Sequence, residues 1–383
     1  MFSNKNHNPI NSSHLHIVCF DVPYPPDYGG VFDLFYKIKT LNELGIKIHL
    51  HCFEYGRGEQ PELKKYCQEV HYYQREKLVG GIPLRLPYIV SSRINPSLIK
   101  NILKDNYPVL LEGIHCTYYL YHGELNTRKV SVRLHNVEFE YYRQLSKSTN
   151  NFYKKIYYTL ESRLLKKYER VIAQKAKFLS VNKKDKETYQ KLFAAKDVKF
   201  LPVFLPFNEI NSKTGKGDFC LYHGNLSVAE NEKAALWLLQ NIFNHLINIR
   251  FIIAGKTPSD ALKNEVAKNK NAQLIRNPSQ EKMEELIKNA HLHLLPSFNS
   301  TGIKIKLLNA LFNGRFIITN TASLDGTGLE TLCELAETPT EYLQRIQELF
   351  DIPFTESEIN KRKEILTSTF DNEKNAKLLM SWL

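Results

Sequence analysis

The chain has 383 residues, of which 43% are hydrophobic and 24% charged, with 17 glycines and 16 prolines; this composition belongs to a folded globular protein and excludes a fibrous or wholly disordered one, and the length favours two domains over one. The net charge of +12 points to a partner that carries phosphate: nucleic acid, an anionic membrane surface or a phosphorylated small molecule. No run of about 18 apolar residues occurs, and the polar start MFSNKNHNPINSS has no secretion-signal core, so residues 1–13 read as a disordered terminus of a cytoplasmic chain.

From residue 14 a short apolar run followed by a helical pattern repeats along the chain, the mark of α/β structure with parallel sheets. HLHIVCFDV is a strand, PYPPDYGG a loop, Val31 to Leu44 a helix with apolar residues at Val31, Leu34, Phe35, Ile38 and Leu41, and IKIHLHCFEY the next strand. EVHYYQ, PVLLEG, KVSVRLH and KFLSVN read as further strands, with helices near 95–105, 136–148, 151–176 and 183–193. These elements make one doubly wound domain over residues 14–205. Within it, residues 143–177 are dense in lysine, arginine and tyrosine, with Ile156, Leu160, Leu164 and Val171 at helical spacing. Two readings of that helix compete: a solvated face, or a basic aromatic surface that rests on anionic lipid. Nucleic acid is disfavoured, because no RNP, zinc-finger or helix-turn-helix pattern accompanies the charge. The six cysteines are scattered without a CxxC pair, which predicts reduced core thiols and no metal.

Residues 206–217, rich in Pro, Gly, Lys and Ser without apolar periodicity, read as a linker. The rhythm restarts over 218–370 with strands at DFCLYHGN, IRFIIAGK, NAQLIR, LHLLPS and RFIITN. Helical patterns follow at 339–350, 356–368 and 372–382, and the last helix, over residues 371–383, could close the second domain or cross back onto the first. The expected architecture is therefore two facing Rossmann-like domains with a cleft between them, because ligands of open parallel sheets bind beyond the carboxyl ends of the strands.

Certain stretches carry candidate chemistry. Thr301, Gly302 and Ile303 stand where a loop enters a helix, so their amides and the positive helix end offer an anion site. Lys306, Asn309 and Asn313 share one face of that helix at i, i+3 and i+7, opposite Leu307, Leu308 and Leu311. From periodicity alone an ordinary amphipathic helix with a solvated lysine competes with this reading. Gly29 and Gly30 before the first helix permit close approach to a ligand or simply form a turn, and they are not the GxGxxG fingerprint. His135, after a buried strand, reads as a cleft residue or a structural hydrogen-bonder.

The segments HGN with Asn231, FIIAGKTP, AHLHLLPS and GIKIKLLNALFNGRFIITN, together with PYPPDYGGVFDLFYKIKTLNELG and VRLHNVEFEYY, resemble glycosyltransferase family 4, retaining GT-B enzymes that use nucleotide-sugar donors. The likeness runs in order over nearly the whole chain. It implies a nucleotide-sugar donor, a glycan or lipid-linked acceptor, and neither cofactor nor metal. It also implies site roles. Gly29 and Gly30 would face the donor phosphate, His135 the donor sugar beside the reacting carbon, and Gly224 and Asn225 the diphosphate. Lys256 would touch phosphate, and the backbone at Arg276 and Asn277 would hold the base. Thr301, Gly302 and Ile303 would supply helix amides, Lys306 a charge for the diphosphate, and Asn309 a hydrogen bond to the ribose.

The family pattern has two glutamates eight positions apart where this chain has Thr301 and Asn309, and it has Arg and Lys where this chain has Asn225 and Asn231. Three functions follow: a retaining glycosyltransferase for a cell-surface glycan, a donor-binding or partner protein of weakened activity, and a nucleotide-sugar epimerase. The last lacks the acid and base carboxylate pair that it requires.

Overall fold

The computed structural model describes residues 13–27, 29–76, 85–149 and 151–383. The disorder expected for the amino terminus lies outside the described residues up to residue 12. Ser13, by contrast, is fixed: its carbonyl accepts from Lys47 N at 3.1 Å. The chain forms two compact units, Met1–Pro206 with Phe370–Leu383, and Phe207–Thr369.

In the first unit the strands are β1 (His14–Cys19), β2 (Lys47–Glu54), β3 (Glu69–Gln74), β4 (Val109–Glu112), β5 (Val130–Leu134), β6 (Lys177–Ser180) and β7 (Val198–Phe200). They pair in parallel in the order β3-β2-β1-β4-β5-β6-β7. Apolar runs such as VLLE and VSVRL become strands because helices cover both faces of a parallel sheet, so alternation between apolar and polar residues is not needed. The helix Gly29–Glu43 buries Val31, Leu34, Phe35, Ile38 and Leu41 against that sheet. Gly29 and Gly30 open this helix, a correction to their placement in a loop; with no side chain on its first two residues, the backbone there stays accessible.

The sheet order reverses beside β1, between β4 and β2, which makes the carboxyl ends of β1 and β4 the switch point where ligands of such sheets bind. One face of the same sheet carries an unexpected feature. His14 and His16 of β1, His49 and His51 of β2 and His71 of β3 project to one side, as period-2 spacing requires. His14 Nδ1 lies 2.8 Å from His49 Nε2, His16 Nδ1 2.9 Å from His51 Nε2, and His51 Nδ1 2.8 Å from the Tyr73 hydroxyl. Asp105 and Glu69 close the two ends of this network. The last helix, Asn372–Trp382, places Ala376 and Leu379 in the core of the first unit. Asn372 fastens its start, accepting from Leu205 N at 3.1 Å and donating to Leu205 O at 2.7 Å.

The second unit has β8 (Phe219–Asn225), β9 (Arg250–Lys256), β10 (Ala272–Arg276), β11 (Leu292–Leu294), β12 (Phe316–Thr319) and β13 (Glu334–Leu335), parallel in the order β10-β9-β8-β11-β12-β13. Here the order reverses between β8 and β11. Of the stretch 206–217, expected as a linker, residues 207–217 are built into this unit. Asn211 N donates to Phe312 O at 2.7 Å, and Gly215 and Phe354 exchange two backbone hydrogen bonds of 2.8 and 3.0 Å. Its polar composition hides this, because backbone bonds do much of the fastening, helped by Phe207 stacked on Phe312 with ring centroids 5.4 Å apart. All six cysteines are free.

Candidate functional site

Sequence position brings the first-unit candidate, His135, just past β5. Its Nε2 lies 3.0 Å from Glu112 Oε2 at the end of β4. Around it the structure assembles a charged group that the sequence reading missed. Asp33 and Lys37 sit four residues apart on the buried face of the first helix, and their ion pair is 2.9 Å long. Lys37 Nζ also lies 2.7 Å from Glu112 Oε1. Arg133 of β5 grips Asp33 with two bonds of 2.9 and 3.0 Å, and donates to the carbonyls of Leu201 and Pro202 at 2.6 and 3.0 Å. The amide of Phe204 completes Asp33 at 2.8 Å.

Burial by itself would raise both carboxyls. For Asp33, Arg133 and Lys37 outweigh it and hold the acid far below its usual range. For Glu112, Lys37 and His135 outweigh burial and lower the acid. Two carboxylates face one ammonium and one guanidinium in a compensated cluster, and such a cluster persists in a core only when every partner is in place. The signal was legible in part: Glu112 and Arg133 are charges inside apolar strand runs. Their partner Asp33 is 100 residues from Arg133, which no local pattern shows.

Ligand atoms of Asp33, Glu112 and His135 lie within 4.8 Å of one another, a spacing that suits a cation. The carboxylates, however, already face Arg133 and Lys37, so an incoming ion would have to displace an ammonium. The geometry instead orients the imidazole. A carboxylate at Nε2 favours a proton on that nitrogen, which leaves Nδ1, 4.0 Å from Asp33 Oδ2, as the acceptor.

In the second unit the ends of three strands lie side by side. Asn225 pairs with Lys256 and Gly224 with Gly255, while Arg276 pairs with Gly255 on the other side. This brings five of the candidates together: Gly224, Asn225, Lys256, Arg276 and Asn277. The packing is tight enough to require glycine at 255, where a Cβ would come 2.0 Å from the Gly224 carbonyl oxygen. Asn277 adopts a left-handed φ of 47° and donates its amide to Gly255 O at 2.9 Å, and its Oδ1 accepts from Thr257 N at 2.9 Å. Thr257 shares that conformation at φ 51°, a costly one for a β-branched residue and characteristic of functional loops.

Lys306 joins this strand edge through Asn231. Its Nζ donates to Asn231 Oδ1 at 2.9 Å and to the Tyr222 hydroxyl at 3.1 Å, and Asn231 Nδ2 donates to Asn225 O at 2.9 Å. The Tyr222 hydroxyl is itself fixed, donating to Asn231 O at 2.7 Å. Both acceptors of the ammonium are neutral. Burial therefore pulls its pKa down to about 8, Lys304 adds to the fall, and Glu230 opposes it. Nearby His223 is driven to about 3 by burial and by Lys306, so it stays uncharged.

The helix that carries Lys306 starts later than expected. Its span is Ile305–Asn313, with Lys304 at the cap, so its terminal amides come from residues 305 onward, not from Thr301, Gly302 and Ile303. Asn299 causes the delay: its Oδ1 accepts from Thr301 N at 2.9 Å and Thr301 Oγ1 at 2.8 Å, and Gly302 then turns the chain at φ 65°. Thr301 is thus a buried fastener of the loop. Asn309 is drawn elsewhere, its Oδ1 and its carbonyl accepting from Asn313 Nδ2 at 2.9 and 3.2 Å. Ser297, missed by the sequence reading, ties the loop to the helix Ala229–Leu238 through a 2.7 Å bond to Glu230.

Residues 217–351 match the family model described as Glycosyl transferases group 1. Sucrose-phosphate synthase from Thermosynechococcus elongatus superposes with a TM-score of 0.70 at 12% identity, over 96% of this chain and 98% of that one. This chain has the GT-B fold. A UDP-forming trehalose-phosphate synthase from Burkholderia xenovorans, solved with glucose-6-phosphate, shares it with a TM-score of 0.63 at 10% identity, over 96% and 99% of the two chains. By sequence the chain is 28% identical over 335 residues to an uncharacterized 44.6 kDa protein in the cps region of Klebsiella pneumoniae, covering 82% of this chain and 84% of that protein. The family match supports a glycosyltransferase.

Proposed function

We propose that the protein is a retaining glycosyltransferase that moves a sugar from a nucleotide-sugar to a glycan or lipid-linked acceptor, in the synthesis of a cell-surface polysaccharide. One observation carries the reading: Lys306 is a half-buried ammonium whose two acceptors are neutral, so it has positive charge left for an anion. It stands in the first turn of a nine-residue helix, beside the aligned ends of β8, β9 and β10. A diphosphate placed there would meet Lys306, the amides that open the helix and the backbone of Gly224 and Asn225. Lys256, Arg276 and Asn277 would extend the site along the strand ends toward the nucleoside. The cps-region relative supports the polysaccharide setting, and the UDP-forming neighbour supports a nucleoside diphosphate as product.

In the proposed step the acceptor oxygen bonds to the anomeric carbon as the carbon–oxygen bond to the diphosphate breaks. The electron pair leaves on the phosphate oxygen, and the acceptor's proton passes to that same diphosphate. Negative charge therefore grows on the leaving group, and fixed donors aimed at it lower the barrier. We assign this to Lys306 and the helix amides in place of a metal ion. His135, oriented by Glu112, is proposed to hydrogen-bond a substrate sugar.

Assay of donor turnover with a panel of nucleotide-sugars tests this. Lys306→Ala should lower turnover about 100-fold, the scale of one main electrostatic contact; unchanged turnover removes Lys306 from the site. Thr301 and Asn309, both engaged inside their own unit, favour a second reading, a donor-binding protein of weakened activity. Nucleotide binding without any donor turnover would select it.

A further inference from the structure

The helices Glu138–Ser148 and Phe152–Ile172 present a surface that the proposed chemistry does not use. At the start of the second helix Phe152 is 69% exposed, Tyr153 82% and Ile156 40%. The spacing i, i+1 and i+4 groups these side chains on one side of the helix tip. Lys154 and Lys155 are exposed beside them, and Lys147 is exposed near the end of the preceding helix.

The acids of this segment are withdrawn from solvent. Glu161 is buried and accepts from Ile89 N at 3.1 Å. Glu169 is buried and accepts from the amides of Glu138 and Phe139 at 3.0 Å each, and Glu138 is buried beside it. Glu140 pairs with Arg143 at 3.3 Å. The tip that remains outside is aromatic and cationic, and among the described residues of these two helices no exposed carboxylate stands beside it. A merely solvated lysine face gives no reason for a phenylalanine and a tyrosine at the point most open to water. Among the described residues no helix is long and apolar enough to cross a membrane.

We propose that this tip docks on an anionic lipid surface, with Phe152, Tyr153 and Ile156 entering the interface and Lys147, Lys154 and Lys155 meeting lipid phosphates. Shallow apolar insertion combined with basic attraction is the pattern of a protein that lies on a membrane. The proposal deepens the functional reading and rests on its lipid-linked acceptor: docking would bring the enzyme to a substrate confined to the bilayer.

Vesicle sedimentation of the full chain provides the test, with phosphatidylcholine alone and with phosphatidylcholine mixed with phosphatidylglycerol, at low and at physiological ionic strength. The wild type should sediment with the anionic vesicles and less so as salt rises. Phe152→Ser with Tyr153→Ser should weaken binding about 10-fold or more, and Lys154→Glu with Lys155→Glu should abolish the preference for anionic lipid. Both variants should keep the wild-type thermal midpoint and donor turnover toward a soluble acceptor. No sedimentation of the wild type, or equal sedimentation of all three proteins, overturns the proposal. So does self-association of the wild type that Phe152→Ser abolishes in the absence of vesicle binding, which would assign the tip to a second copy of the chain. Turnover without vesicle binding would sink this proposal alone. Vesicle binding without turnover would sink the enzymatic reading and leave the surface standing.

Discussion

An ammonium group held by two neutral oxygens behaves differently from one held by a carboxylate. It keeps its field for a ligand, and it loses its proton more easily. With a pKa of about 8, Lys306 is charged at neutral pH and is discharged as pH rises further. The sign for catalysis follows: kcat/KM, which reports the free enzyme, should fall as pH rises through about 8. Lys306→Arg should remove that alkaline limb, because a guanidinium stays charged, although its planar fork will not reproduce the tetrahedral contacts to Tyr222 and Asn231. A limb near pH 8 that survives in Lys306→Arg would assign the titration to another group. The residue itself could be read from the sequence, through the helical spacing of its face. Its cage could not, because Asn231 and Tyr222 lie 75 and 84 positions away and only the β8–β11 switch point brings them to it.

At the scale of elements, regular structure was legible wherever apolar periodicity decided it. EVHYYQ reads as a strand and is β3, and the helical pattern over 183–193 is the helix Lys183–Phe193. Boundaries set by side-chain bonding were not legible. The Asn299 turn shifts a helix start, and backbone pairing fastens the segment 207–217. Two buried groups also went unread, and each makes stability depend on pH with its own sign. Glu138, at the start of the helix Glu138–Ser148, is pushed up to about 8 by burial and by Glu169. Its folded pKa exceeds the unfolded value, so the folded state holds the proton more tightly and stability falls as pH rises toward 8. Glu138→Gln should flatten that fall, seen as urea midpoints that change less than wild type between about pH 6 and pH 8; parallel curves would refute it.

The histidine face of β1, β2 and β3 has the opposite sign. Burial and the neighbouring imidazoles lower the pKa of His51 well below its ordinary value, and burial lowers His16 despite Asp105. The unfolded chain then takes up protons first as pH drops, and stability is lost as pH falls below about 6.5. Replacing His51 by Phe, which fills the space without titrating, should reduce the loss between about pH 7 and pH 5.5 relative to wild type. An unchanged loss would mean that other groups carry the acid sensitivity.

For the whole molecule, the net charge of +12 was informative about class of partner but silent about place. In the structure the cluster of Asp33, Glu112, Lys37 and Arg133 is balanced within itself, whereas Lys306 rests on neutral acceptors and Lys147, Lys154 and Lys155 are exposed. Chain order made the doubly wound units legible, since each strand–helix repeat adds one parallel strand. Periodicity alone left open which unit the last helix, Asn372–Trp382, joins; Ala376 and Leu379 place it in the first unit's core, through contacts between the two ends of the chain. The central claim is that a leaving diphosphate binds at the front of the helix Ile305–Asn313 through Lys306. Titration calorimetry of nucleoside diphosphates, UDP first, against the wild type and Lys306→Ala measures this directly. At least one diphosphate should bind the wild type, and the variant should bind it about 10-fold to 100-fold more weakly; equal affinity for both proteins, or no binding of any nucleoside diphosphate to the wild type, would contradict it.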